Sequence, residues 1–115
     1  MFKSLFLLIF AFSTQIGFSQ STQSPQFFAQ CMVDITTTQQ ADELTLTLRS
    51  NPYVAVARVD WPTKRIFVLT KDITSFTEVN FNSWLGTYAS SASCIQVGLH
   101  GVDVVNPYPF INCNN

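Results

Sequence analysis

The stretch "YVAVARVDWPTKRIFVLT" (residues 53–70) decides the fold of this chain. Two runs rich in β-branched residues, 53–60 and 65–70, are separated by "WPTK", a turn sequence that contains Pro62. Runs of this composition on either side of a short turn are typical of paired antiparallel strands. The stretch therefore predicts a β-hairpin.

This hairpin carries apolar residues on both of its faces. The residues expected to point toward covering helices are Val54, Val59, Ile66 and Val68. Val56, Phe67 and Leu69 then point toward the opposite, open face of the sheet. An apolar open face implies a cover, which is either the chain's own tail or a partner.

The segment before the hairpin begins with a strand. "FFAQCMVDI" (27–35) alternates with period two, and this pattern indicates a β-strand with one apolar face. The residues expected on the core face are Phe27, Ala29, Cys31, Val33 and Ile35. Gln30 and Asp34 are then expected on the other face.

The next segment, "QQADELTLTLRS" (39–50), fits two secondary structures. Its leucines alternate as in a strand, whereas Ala41, Leu44 and Leu48 follow helical spacing. Acidic residues near its start and Arg49 near its end favour the helix, because they complement the helix dipole. We predict a helix that Thr37 or Thr38 caps.

The segment after the hairpin indicates a second helix and a last strand. "SFTEVNFNSWLGTY" (75–88) offers Ser75 and Glu78 as a capping box. Its apolar stripe at helical spacing is Phe81, Trp84, Leu85 and Tyr88. "CIQVGLH" (94–100) alternates again. Its first face carries Ile95, Val97 and Leu99, and its second face carries Cys94, Gln96 and His100.

The element order over residues 27–101 is strand, helix, strand, strand, helix, strand. This order predicts an α+β, ferredoxin-like split βαββαβ fold, with a four-stranded antiparallel sheet and both helices on one face. An all-β sandwich is the alternative, and it requires residues 43–49 to form a strand. We expect the buried core to include Cys31, Val33, Leu44, Leu48, Val59, Val68, Phe81, Leu85 and Val97.

The first residues indicate export. Lys3, an apolar run and small residues before Gln20 match a signal peptide over 1–19, followed by a flexible lead-in over 20–26. The apolar run is too short for a membrane anchor. Removal of Lys3 leaves five basic against seven acidic side chains, and such a charge does not favour nucleic acid or anionic membranes as partners. We therefore expect a periplasmic or extracellular protein.

The three cysteines all follow the proposed cleavage site, so an oxidising compartment favours one disulfide and one remaining thiol. The strand patterns place Cys31 and Cys94 on different sides of the sheet. We predict a Cys94–Cys113 disulfide that folds the tail, residues 102–115, back over the open face. Tyr108 and Phe110 would then lie against the sheet, and Cys31 would stay a buried, unreactive thiol.

The stretch "LRSNPYVAVARVDWPTKRIFVLTKD" (48–72) resembles the heavy-metal-associated domain of copper chaperones and metal-transporting ATPases. The resemblance extends from about Phe28 to Gly101 and implies the ferredoxin-like fold. The family binds soft metals through a Cys-x-x-Cys motif in the loop after the first strand. The corresponding loop here, "ITTTQQ" (35–40), has no thiol, imidazole or thioether, so no metal ligand carries over.

No other motif indicates catalysis or a cofactor. A glycine-rich anion loop, as in acylphosphatases of this topology, is missing near the first strand. His100 lies beside Gly98 and Gly101 on the last strand; a nucleophile–base pair with Cys31 or Cys94 is conceivable, but a surface or edge histidine is favoured. Cys31, Met32, Cys94 and His100 are copper ligands by type, but Cys31 and Met32 alternate to opposite faces. We expect no catalytic, cofactor or metal site.

These observations favour a small exported, non-catalytic binding module that contacts a protein or peptide through its sheet and tail. The expected contact residues are Val56, Phe67, Leu69, Tyr108 and Phe110. The alternatives are a degenerate metal-handling domain, a propeptide-like protease inhibitor and a structural accessory of an envelope assembly.

Export gives the first testable prediction: the mature protein begins at Gln20. Intact-mass measurement of the exported product should show the loss of residues 1–19. A product that retains this segment would show that it is an anchor and not a signal peptide.

Overall fold

The computed structural model describes residues 24–111 and residue 113. The proposed signal peptide, residues 1–19, lies outside this part of the chain. The described elements are β1 (Phe27–Met32), α1 (Thr38–Arg49), β2 (Val54–Asp60), β3 (Arg65–Thr70), α2 (Glu78–Trp84), a 3₁₀ helix (Gly86–Ser91) and β4 (Ser93–Leu99).

The four strands form one sheet in the order β2-β3-β1-β4, and every neighbouring pair is antiparallel. This order and the alternation of elements are those of the ferredoxin-like split βαββαβ fold, as the sequence predicts. The all-β alternative is wrong, because residues 38–49 form a helix.

A single apolar core lies between the sheet and the two α-helices. Seven of the nine residues expected in the core are buried: Cys31, Val33, Leu44, Leu48, Val68, Phe81 and Leu85. Val59 and Val97 are only partly buried against this core. They lie on β2 and β4, the two edge strands, where a neighbouring strand covers them on one side only.

The hairpin faces are arranged as the sequence predicts. The register between β2 and β3 shifts between Val54 and Val56, which indicates an extra residue in β2 at this point. The shift lets Val54 and Val59 both face the core, although strict alternation would put them on opposite faces. Val56 pairs with Leu69 and remains 40% exposed on the other face.

Helix α1 begins where the threonines of the first loop predict. Thr37 is extended, and its side chain accepts a hydrogen bond from the Gln40 backbone N–H at 3.1 Å. Leu44 and Leu48 are buried, whereas Leu46 is 67% exposed. The alternating leucines are therefore explained by a helix: Leu44 and Leu48 belong to its apolar stripe, and Leu46 lies on its outer surface.

Helix α2 begins two residues later than predicted, so the Ser75–Glu78 capping box is wrong. Thr77 caps the helix and accepts a hydrogen bond from the Asn80 N–H at 3.2 Å, while the Asn80 side chain accepts one from the Thr77 N–H at 2.9 Å. Phe76 precedes the cap and contacts Phe81, with ring centroids 6.2 Å apart. This contact of residues N′ and N4 is a hydrophobic staple, which fixes the start of the helix.

The helix is also shorter than predicted. It ends at Trp84, and the chain continues as a 3₁₀ helix that starts at Gly86, whose φ of +61° favours glycine. Phe81 and Leu85 are buried, and Trp84 and Tyr88 are partly buried against the core. The apolar stripe is therefore used even though its second half leaves the α-helical conformation.

Within residues 24–111 no helix has the length and apolar character that a membrane crossing requires.

Leu85 tests the packing of α2 on the sheet, because its side chain is 1% exposed. Leu85→Ala should lower the free energy of unfolding by about 2–5 kcal/mol, the range for buried leucine truncation. Leu85 is the C-cap residue of α2, and Val79 within α2 is 77% exposed and provides the control. Val79→Ala should change the free energy of unfolding by less than about 0.5 kcal/mol. Denaturant titration of the two variants gives the measurement. Equal effects of the two substitutions would contradict this packing.

Candidate functional site

The face of the sheet opposite the helices is the candidate site. Alternation in β1 places Phe28 and Gln30 on this open face, between the core residues Ala29 and Cys31. In register, Leu69 lies beside Phe28 and Phe67 lies beside Gln30. Gly98 and Gln96 of β4 lie on the other side of the same two β1 residues. The open face is thus apolar around Phe28 and polar around Gln30.

The tail leaves β4 through a tight turn at Gly101, which has a φ of +84°. The backbone N–H groups of Val102 and Asp103 donate to the Leu99 carbonyl at 3.1 and 2.9 Å. The Leu99 N–H donates to the Asp103 carboxylate at 2.7 Å. Both main-chain groups of Leu99, at the edge of the sheet, are therefore occupied by the tail.

Two glutamine side chains hold the main chain of the tail. Gln30 is only 6% exposed, and its Nε2 donates to Gln96 Oε1 at 2.9 Å and to the Asn106 carbonyl at 3.0 Å. Gln96 Nε2 donates to the Val104 carbonyl at 2.8 Å, and Gln96 Oε1 accepts from the Asn106 N–H at 2.9 Å. We call Gln30 and Gln96 the glutamine clamp. It forms hydrogen bonds with three main-chain groups of the tail.

An aromatic contact follows the clamp along the tail. The Arg65 guanidinium lies 4.3 Å from the centroid of the Tyr108 ring, within the range of a cation–π interaction. The rings of Tyr108 and Phe110 meet edge to face at 5.7 Å. Tyr108 remains 42% exposed, while Phe110 is half-buried. The structure thus places Tyr108 next to Arg65 of the sheet and Phe110 next to Tyr108.

The predicted Cys94–Cys113 disulfide is present, with the two Cα atoms 5.0 Å apart. The register between β1 and β4 shifts between Gln30 and Met32, so that Cys94 and Ile95 both oppose Cys31. Cys94 has a φ of +55°, and its side chain bonds to the tail, whereas Ile95 packs against the core. Closing a loop of this length contributes about 3 kcal/mol in the chain-entropy model.

Phe28 is the site residue that sequence reasoning missed. Its side chain is fully buried although it lies on the face away from the helices. Its ring stacks on Phe67 with centroids 6.5 Å apart, and a Cβ at Gly98 would lie 2.8 Å from it. The same Cβ would lie 3.0 Å from the Asp103 Cβ of the tail. The sequence feature that could have revealed Phe28 is the pair "FF" at 27–28, because adjacent residues of a strand place one ring on each face of the sheet.

Part of the open face remains uncovered on the hairpin. A groove of about 360 Å³ is lined by Arg58, Val59, Asp60, Arg65 and Phe67. The Thr63 hydroxyl donates to the Asp60 carboxylate and is the main reason that the pKa of Asp60 is lowered, and nearby arginines add to the effect. The groove therefore presents an ionised carboxylate between two guanidinium groups.

A side chain of α1 forms a hydrogen bond with the main chain of the edge strand β2. Arg49 Nη2 donates to the carbonyl of Ala57 at 3.1 Å. A strand edge with free main-chain groups attracts other strands, and occupied groups reduce this tendency. The tail bonds the main-chain groups of Leu99 in β4. Each of the two edge strands therefore has at least one main-chain group that is bonded by a residue outside the sheet.

The residues considered as metal ligands do not form a site. Cys31 is buried on the core face, and Cys94 is consumed in the disulfide. In the first loop, Gln40 Oε1 accepts from the backbone N–H and hydroxyl of Thr36 at 2.8 and 3.1 Å, so these groups stabilise the helix start. Among the described residues, no three His, Cys, Asp or Glu side chains lie close enough to hold a metal ion.

Comparisons with models of protein families, with curated proteins and with solved structures gave no match. The resemblance to the heavy-metal-associated domain therefore stays a prediction from the sequence. The fold that this resemblance implies is present, and the loop that would carry its Cys-x-x-Cys motif instead caps α1.

The reactivity of Cys31 gives a prediction about the core. Burial raises the pKa of its thiol from 9.0 to about 12, so the group is neutral and inaccessible at pH 8. Iodoacetamide should label no cysteine in the folded, oxidised protein and one cysteine in denaturant. Because the unfolded thiol ionises near pH 9.0 and the folded thiol only near 12, the free energy of unfolding should fall as pH rises through this window. Rapid labelling of the folded protein would contradict the position of Cys31.

Proposed function

We propose that this chain is a small, exported, non-catalytic binding module that contacts a protein or peptide through its sheet and tail. The observation that carries the proposal is the glutamine clamp, which binds main-chain groups of the tail on the open face. The tail is itself a peptide, and it occupies this face in the way that a bound ligand would.

The chemistry of the clamp supports peptide binding in general. A side-chain amide carries both a donor group and an acceptor, so it can pair with the N–H and the C=O of a peptide. Main-chain bonds give affinity for many sequences, and side-chain contacts add specificity. Here Arg65 and the ring of Tyr108 supply such a side-chain contact.

The outer surface of the covered face supports a protein partner. Tail residues with exposed apolar side chains are Val102, Val104, Val105, Tyr108 and Ile111. Val56 on the hairpin is 40% exposed and adds to this apolar surface. Three other contact residues expected from the sequence, Phe67, Leu69 and Phe110, are half-buried. They would pack beneath the exposed residues that touch the partner. Exposed apolar residues that lie together are a feature of interaction sites.

Export is proposed from the signal-peptide pattern at the start of the chain. The Cys94–Cys113 disulfide supports it, because such bonds persist in oxidising compartments.

The test is a capture experiment with the oxidised mature protein, residues 20–115, and an envelope extract of the cells that produce it. The variant V56S/Y108S removes two exposed apolar side chains from the proposed surface without touching the core. Retention of a specific partner should fall by about tenfold or more, as expected when a contacting tyrosine is lost. Quantitative mass spectrometry of the retained proteins gives the measurement.

Leu46→Ser is the matched control, because Leu46 is 67% exposed on α1 and belongs to the other side of the sheet. It should leave the retention of the partner unchanged. Equal retention by all three proteins would contradict a contact through the sheet and tail. Stoichiometric copper(I) binding tighter than micromolar would instead favour the metal-handling alternative.

A further inference from the structure

The tail is closed at both of its ends. It continues from β4 through the Gly101 turn, and Cys113 returns it to β4 through the bond to Cys94, 19 residues away in sequence. A segment closed in this way cannot leave the sheet face over its full length while the disulfide is intact. The Cys113 end is exposed, so a reductant can reach it.

The described tail residues contact the sheet through the main-chain bonds to the glutamine clamp, the Asp103 turn at Leu99 and the contact of Tyr108 with Arg65. Several apolar side chains of the tail contribute little burial: Val104 is 80% and Ile111 is 81% exposed. Opening the disulfide therefore removes the constraint that keeps a weakly held segment in place.

The surface beneath the tail has the features of a peptide site. Gln30 donates from its amide to the Asn106 carbonyl, so departure of the tail would free this donor for the main-chain carbonyl of another peptide. Arg65 would lose the ring that lies over its guanidinium. The rings of Phe28 and Phe67 border the same face.

We propose that the tail is an intramolecular ligand of the sheet, and that reduction of the Cys94–Cys113 disulfide frees the face beneath it for another extended peptide. The inference rests on the proposed function, because it takes the sheet as a surface that binds peptide main chain. It adds a second, covered site and the event that opens it.

The opening step is thiol–disulfide exchange with a dithiol. A thiolate of the dithiol attacks Sγ of Cys113, the bond between the two Sγ atoms breaks, and Cys94 leaves as a thiolate that takes up a proton. The second thiol of the reductant then displaces Cys113. The dithiol loses two electrons and becomes a disulfide, while Cys94 and Cys113 each end as a thiol. Cys31 takes no part, because it is buried in the core.

The tail also defines the peptide that fits. The clamp needs one residue that offers both its N–H and its C=O, as Asn106 does. An aromatic residue two positions later reaches Arg65, as Tyr108 does. The partner is therefore an extended segment with a free main chain at the clamp and an aromatic side chain at the second following position.

The experiment measures binding of a fluorescein-labelled peptide, VDVVNPYPFI (the sequence of 102–111), by anisotropy. The proteins are the oxidised mature chain, the same chain in dithiothreitol, and the full-length variant C94S/C113S. The attached tail competes with the added peptide, so a third form, C94S/C113S/Y108S, weakens this competitor. Affinity should rise by about tenfold or more from the oxidised chain to the opened chains, and it should be highest for the third form.

Two changes identify the site. Gln96→Ala should weaken binding by about tenfold in C94S/C113S/Y108S, where the attached tail competes least, and so should a probe peptide with serine in place of its tyrosine, which leaves the attached tail unchanged. Leu46→Ala in the opened chain should leave binding unchanged. Binding that is no tighter after opening, or that does not respond to Gln96→Ala, overturns the inference. If the serine variants fail to fold, the comparison of the oxidised chain with the reduced wild-type chain still shows whether opening the disulfide tightens peptide binding.

The two proposals fail in different ways. Loss of the envelope partner in V56S/Y108S, without peptide binding to the opened chain, would retain the proposed function and reject the covered site. Peptide binding to the opened chain, without any partner of the oxidised chain, would retain the covered site and reject binding through the outer surface.

Discussion

The structure depends on one constraint: two short helices can cover only one face of a four-stranded sheet. The other face carries Phe28 and Phe67, which water would otherwise contact. The chain covers this face with its own tail, which Cys94 and Cys113 close into a loop. The disulfide and the glutamine clamp hold the tail in place. A small domain with a limited core is the setting in which such a covalent closure matters.

The sequence predicts the fold and the disulfide because both follow from periodicity. The hairpin, the alternation around Cys31 and the placement of Cys94 on the opposite face leave Cys113 as the reachable partner. The features that the sequence did not predict depend on contacts between residues that only the folded chain brings together. The start of α2 depends on the contact of Phe76 with Phe81, which a capping pattern at Ser75 does not reveal. The glutamine clamp depends on the register of β1 and β4, which only the folded sheet defines.

Polar groups on the open face explain why this cover is specific. A buried glutamine amide is costly unless it is hydrogen-bonded, and Gln30 Nε2 donates both to Gln96 Oε1 and to the Asn106 carbonyl of the tail. An apolar face alone would accept many positions of the tail. The clamp fixes one position, at Asn106, and the guanidinium of Arg65 fixes the next aromatic ring. The same arrangement that orders the tail is the one from which peptide binding is proposed.

Amide hydrogen exchange of the oxidised mature protein, read by NMR, tests the central claim that the clamp holds the tail on the sheet. The Asn106 N–H donates to Gln96, whereas the Val105 N–H has no partner among the described residues. Exchange at Asn106 should be at least about tenfold slower than at Val105, and Gln96→Ala should abolish the difference. Equal exchange at the two amides in the unmodified chain would contradict the account.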